Sequence, residues 1–187
     1  MIRLATVGTG WIVGEFLKGV REAGGICYTA CYSRDQQRGE AFAEEWGAQK
    51  VYTDLAQMAA DEEIDAVYIA SPNRLHYEQS KLFLQHGKHV ICEKPITVEP
   101  EELQELQELA QQKNLIYIEA LIGVYLPQMK VLQGAVERLG PVHLARFDFS
   151  QYSSKYPAYL RGELPNIFNP QMATGGWMDL GIYCCLL

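Results

Sequence analysis

The 187-residue chain carries 16 Lys+Arg against 23 Asp+Glu, a net charge of −7, and is 48% hydrophobic and 21% charged, a balance that excludes extensive disorder. An acidic chain without a Lys/Arg cluster is not built to neutralise nucleic-acid phosphates. No apolar run reaches the roughly 18 residues of a membrane span, and Met1-Ile2-Arg3-Leu4 opens no signal-peptide pattern.

Residues 2–7 (IRLATV) predict a first strand, ended by Gly8 and Gly10. Residues 12–23 have helical spacing, with Ile12, Phe16, Gly19 and Val20 on one side, and Gly24-Gly25 stops them. A second strand spans 26–32 (ICYTACY); Asp35 then caps a helix that runs to Trp46 and ends at Gly47. Residues 51–52 and 54–60 predict a short strand and a short helix. Residues 64–70 (IDAVYIA) form a buried strand broken by Ser71-Pro72-Asn73, 75–85 a helix stopped by Gly87, and 89–92 a fifth strand. Pro100 suits a first helical position, Glu101 and Glu102 its first turn, and Leu103, Leu106, Leu109 and Ala110 its apolar stripe. Residues 115–119 (LIYIE) close the series as a sixth strand. Strands and helices alternating over short crossovers require a parallel, doubly wound α/β sheet, here assigned to residues 1–120.

The pattern changes after residue 120. Residues 127–139 predict a helix closed by Gly140-Pro141, and 142–151 (VHLARFDFSQ) alternate with period two, as in a strand with one wet face. A loop rich in Pro, Asn and Tyr covers 152–174, and Gly175-Gly176 opens a short apolar stretch. Residues 121–187 thus read as the start of an incomplete second domain. The five cysteines, Cys27, Cys31, Cys92, Cys184 and Cys185, lack CxxC spacing, which predicts reduced thiols in a cytoplasmic protein and no metal site.

Gly8-Thr9-Gly10 between the first strand and first helix forms a phosphate cradle. One glycine allows the tight turn, the other lets the backbone approach a pyrophosphate, and the helix start at Trp11-Ile12 offers free N–H groups. The third fingerprint position is Val13, with Gly14 next to ease the helix–strand contact; Trp11 either belongs to the cradle or packs on its own helix. At the end of the second strand, Ser33, Arg34 and Arg38 supply a hydroxyl and two guanidinium groups suited to the 2′-phosphate of NADP. The alternative is that Asp35 serves the ribose of NAD and the arginines are a solvated helix start. Ser71, Asn73 and His76 after the fourth strand, and Glu93-Lys94-Pro95 after the fifth, fall on the same carboxyl edge. On composition alone, Lys94 is equally an active group or half of a surface ion pair.

Together with Gly8-Thr9-Gly10, the segments Ser71-Pro72-Asn73-Arg74-Leu75-His76 and Gly87-Lys88-His89-Val90-Ile91-Cys92-Glu93-Lys94-Pro95 resemble the Gfo/Idh/MocA oxidoreductases. The tail Gly175-Gly176-Trp177-Met178-Asp179-Leu180-Gly181-Ile182-Tyr183 is similar to that family's GG…DxGxH segment. The resemblance implies a Rossmann sheet followed by an α+β domain with an open, mainly antiparallel sheet. It implies that Lys94 is the active-site lysine and that Asp179 and Tyr183 face nicotinamide and substrate. It places Asn73, His76 and Glu93 beside the cofactor. Most members carry His where Tyr183 stands; the tyrosine resembles those members in which it gives or takes the proton. Many relatives also carry an arginine shortly before the proline in the stretch Gly123-Val124-Tyr125-Leu126-Pro127, and this chain does not. The implied protein is a homo-oligomeric dehydrogenase, dimer or tetramer when full length, acting on a small sugar, polyol or diol. Glycoside cleavage through transient oxidation, a non-catalytic dinucleotide-binding regulator and an inactive fragment are the alternatives.

Overall fold

The computed structural model describes residues 1–185, which divide into two compact units, Met1–Ala120 and the described residues from Leu121 onward. In the first unit, β1 (Ile2–Val7), α1 (Trp11–Ala23), β2 (Ile26–Tyr32), α2 (Gln36–Trp46), β3 (Lys50–Tyr52) and α3 (Leu55–Ala60) follow one another. They are succeeded by β4 (Ala66–Ile69), α4 (His76–Gln85), β5 (His89–Cys92), α5 (Pro100–Gln112) and β6 (Tyr117–Glu119). All neighbouring strands pair in parallel, in the order β3-β2-β1-β4-β5-β6. The order reverses at β1, between β2 and β4, and that reversal opens a crevice at the carboxyl ends of these strands.

The apolar strand runs are explained by two cores, one on each face. Along β4, Ala66 and Tyr68 join Leu4, Val13, Leu17 and Phe42 beneath α1 and α2. Val67 and Ile69 join Met58, Phe83, Leu84 and Leu106 beneath α3, α4 and α5. Alternate residues thus feed opposite faces, so both faces of the sheet are mainly apolar. Tyr68 is buried and stacks on Phe16 with ring centroids 3.8 Å apart. Helix ends obey local chemistry: Asp35 and Asp54 cap α2 and α3, and Gly47 closes α2 in the left-handed conformation at φ 84°.

In the second unit, α6 (Ile122–Tyr125) and α7 (Pro127–Leu139) are followed by α8 (Tyr156–Leu160) and, after short turns, by a π-helical segment Trp177–Gly181 that runs into α9 (Ile182–Cys184). The expected strand over 142–151 does not form; the segment carries no regular secondary structure and is exposed. Period-two alternation gives such a segment two faces, but a strand is made by hydrogen bonds to a neighbour, and among the described residues no strand pairs with it. The five cysteines are free thiols. No helix among the described residues is long and apolar enough to cross a membrane.

At the amino ends of β1 and β4, Arg3 grips Asp65 through Nε at 3.0 Å and Nη2 at 2.6 Å, while the Arg3 N–H donates to the same carboxylate at 2.7 Å. The Arg3 side chain, outweighing burial, holds the Asp65 carboxyl at about 2 against an ordinary 3.8. A lowered folded pKa stabilises the fold above the ordinary value and loses that contribution as acid is added. Resistance to denaturant should therefore fall as pH drops from 3.8 towards about 2, and Asp65→Asn should flatten that part of the profile while lowering stability at neutral pH.

Candidate active site

The cradle is built where β1 gives way to α1. Gly8 lies at φ +114°, and a Cβ there would stand 3.0 Å from the Ala70 carbonyl oxygen, so both conformation and space demand glycine. Its N–H donates to the Tyr32 carbonyl at 3.1 Å, tying the turn to β2. At Gly10 the situation is opposite: a Cβ would meet nothing within 4 Å and would project into open space. No side chain caps α1 and its first turn holds no acid. Val13 N–H turns back to the Gly10 carbonyl at 3.1 Å, and the Trp11 and Ile12 N–H groups precede that bond at the positive end of the helix. An open cradle before an uncapped helix start fits the pyrophosphate of a dinucleotide. The Trp11 side chain is 79% exposed, so it is not a packing residue of the core.

Gly14 does not relieve a helix–strand contact as expected. A Cβ on it would come within 2.9 Å of the Trp46 indole, so this glycine admits α2 against α1. Gly39, unremarked in the sequence, does the corresponding work for α2 on the sheet: a Cβ there would lie 2.6 Å from Val51 and 3.2 Å from Ser33. Ser33 is consequently buried, its Oγ accepting the Asp35 N–H at 3.2 Å. The Asp35 carboxylate accepts the Arg38 N–H at 3.1 Å, and the Arg38 guanidinium reaches across to donate to the Thr9 carbonyl at 3.3 Å. Thr9, Ser33 and Arg38 are thereby brought together, with Arg34 exposed at the same bend.

The other two loops of the edge are welded to each other. His76 is fully buried; its Nδ1 lies 2.8 Å from the Pro95 carbonyl oxygen and its Nε2 2.9 Å from that of Ser71. The ring thus lies between a backbone carbonyl of each loop and bridges the two. Ser71 Oγ donates to Gln79 at 2.7 Å, and Asn73 starts a single 3₁₀ turn leading into α4. In the following loop Tyr68 donates its hydroxyl to Glu93 at 2.5 Å, and the Lys94 N–H donates to the other Glu93 oxygen at 3.3 Å. Lys94 is half-buried and its peptide bond to Pro95 is cis. Beyond it, Ile96 N–H donates to Glu119 Oε1 at 2.8 Å. Burial, with Glu93 adding to it, pushes the Glu119 carboxyl up against the opposing Ile96 N–H and His76.

Asp179 and Tyr183 belong to the second unit, four positions apart on the continuous helical run from Trp177 to Cys184, so they share a face. A Cβ at Gly181 would meet the Trp177 ring at 2.7 Å, so that indole lies over the helix only because the position is glycine. The Tyr183 ring packs 5.3 Å from Phe149, and Tyr156 and Tyr159 cluster with Phe168 at 6.1 Å and 5.0 Å, which gives the tyrosine-rich loop a packing role.

A family described as oxidoreductases with an NAD-binding Rossmann fold matches residues 2–121. The scyllo-inositol 2-dehydrogenase (NADP(+)) IolU of Bacillus subtilis is 41% identical over 184 residues, 98% of this chain and 56% of that protein. The trans-1,2-dihydrobenzene-1,2-diol dehydrogenase of Mus musculus is 30% identical, over 83% of this chain and 45% of its own length. Among solved structures, a 3-ketoreductase from Actinomadura kijaniata in complex with NADP and TDP-benzene superposes with a TM-score of 0.68 at 27% identity, over 73% of this chain and 42% of that one. The chain thus spans about half the length of the curated relatives it matches.

Gly10 has φ −84° and ψ 171°, extended backbone open to any residue. Gly10→Val should therefore leave the melting temperature near that of the parent. It should weaken NADPH affinity by about tenfold or more, roughly 1.4 kcal/mol, as measured by fluorescence titration.

Proposed function

The chain belongs to the Gfo/Idh/MocA oxidoreductases and carries their NAD(P)-binding Rossmann fold, and on that premise we propose that it serves an NADP(H)-dependent oxidoreductase acting on a polyol, sugar or diol and the corresponding carbonyl compound. The observation that carries the proposal is the fixed Lys94 turn on the sheet edge that also holds the glycine cradle. The dinucleotide, when bound, supplies hydride exchange with the substrate carbon. Every proton is then left to the protein. Tyr183 gives its phenolic proton to the substrate oxygen on reduction and takes it back on oxidation. Lys94, as a hydrogen-bond donor, steadies that oxygen. Asp179, sharing a helical face with Tyr183, holds Lys94 or the substrate hydroxyl.

Preference for NADP is assigned to Ser33, Arg34 and Arg38. Arg38 already reaches the glycine loop, and Asp35 spends a carboxylate oxygen on capping α2, which favours a phosphate acceptor over a ribose diol at this bend. Asn73 and Glu93 border the nicotinamide side in this scheme, and His76 supports it from below. The polyol class is drawn from the inositol and diol dehydrogenases that this chain resembles. Residues 121–187 contribute substrate contacts and self-association in this scheme, which places the protein in the cytoplasm as a homo-oligomer.

Assays of NADP+ reduction over a panel of inositols, sugars and diols test the scheme. Tyr183→Phe and Lys94→Met should each lower kcat by roughly 100-fold or more and leave the NADPH dissociation constant unchanged; turnover retained in both variants overturns the assignment. Replacing Arg34 and Arg38 together by Ala should raise the Kd for NADP+ by about tenfold, some 1.4 kcal/mol, with little effect on NAD+. An equal effect on both cofactors would remove the 2′-phosphate from their role.

A further inference from the structure

Lys94 leaves the end of β5 on a short turn, and three side chains from three different elements hold that turn. Tyr68 of β4 holds Glu93 before it, His76 of α4 holds the Pro95 carbonyl after it, and Glu119 of β6 takes the Ile96 N–H. Glu119 arrives there through strand pairing. Cys92 of β5 is in register with Glu119, and Ala120 N–H donates to the Cys92 carbonyl at 2.7 Å, so the end of β6 stands beside the start of the turn. The carboxylate is half-buried with Glu93 near it, an environment that disfavours its charge. What it gains there is a charge-assisted bond from a backbone donor two residues beyond Lys94.

Resting on the reading of Lys94 as the active-site lysine, we propose that Glu119 is a positioning residue, whose carboxylate oxygen sets the path of the Lys94–Ile96 turn by accepting the Ile96 N–H. What matters is an acceptor at the correct reach. A backbone released at Ile96 lets the Lys94 amine drift, and displacements near 1 Å in a reacting group are costly to turnover while leaving cofactor contacts on the glycine loop untouched.

Two conservative variants separate reach from charge. Glu119→Gln keeps the length and an amide oxygen in place of the accepting carboxylate oxygen. Glu119→Asp keeps the charge but withdraws the acceptor by one methylene. The expected pattern is kcat within about twofold of the parent for E119Q and lowered about tenfold or more for E119D, with NADPH affinity equal in all three. Hydrogen exchange at the Ile96 amide, read by NMR, should quicken in E119D alone, while Val90 and Ile91 in β5 exchange as in the parent. Parent-like turnover and Ile96 exchange in E119D overturn the proposal, as does an E119Q variant as impaired as E119D. Lys94→Met is run beside them: if it retains turnover, the reading of Lys94 fails whatever Glu119 does. If it is inactive while E119D is unimpaired, only the role of Glu119 falls.

Discussion

Every strand of the first unit points the same way, and the placement of the candidate site follows from that single constraint. Parallel neighbours require crossovers, and the crossover helices cover both faces of the sheet. The strand ends are then the remaining places where side chains meet a ligand. The turns at Gly8–Gly10, Ser33–Arg38, Ser71–His76 and Glu93–Ile96 all leave carboxyl ends and therefore line one edge. The reversal of strand order at β1 separates the loops on its two sides and opens the crevice between them. His76 then prevents two of these turns from moving independently, because one imidazole is fastened to a carbonyl in each.

The first unit was legible because its signals are local. Apolar runs of strand length, glycines at helix stops, Asp35 as a cap and the Gly8–Gly10 turn each act within a few residues of themselves. Strand limits shifted slightly, as with residues 64–70 against the observed Ala66–Ile69, because a strand ends where its neighbour's ladder ends. Residues 142–151 show the boundary of such reasoning: their alternation is a property of the segment, whereas pairing is a property of another strand. The brace formed by His76 and Glu119 was invisible for a related reason. In sequence, one stands at the start of the helix over 75–85 and the other is the last residue of LIYIE; their partners lie 19 and 23 positions away.

The site also shows how differently one element type is used. Gly8 is a conformational requirement, Gly10 leaves room for a ligand, and Gly14 and Gly39 leave room for the protein's own packing. A fingerprint written as spaced glycines merges these three purposes. Only the neighbours of each missing side chain distinguish them.

The double wedging of α2, by Trp46 against Gly14 and by Gly39 against Val51 and Ser33, has a bearing on how this scaffold diversifies. Arg38 rides on a helix whose seat admits no extra methyl group on either side, and Arg34 on the bend that leads into it. Those outer side chains can be exchanged without disturbing that packing, whereas a methyl group added in the seat displaces the whole ledge at once.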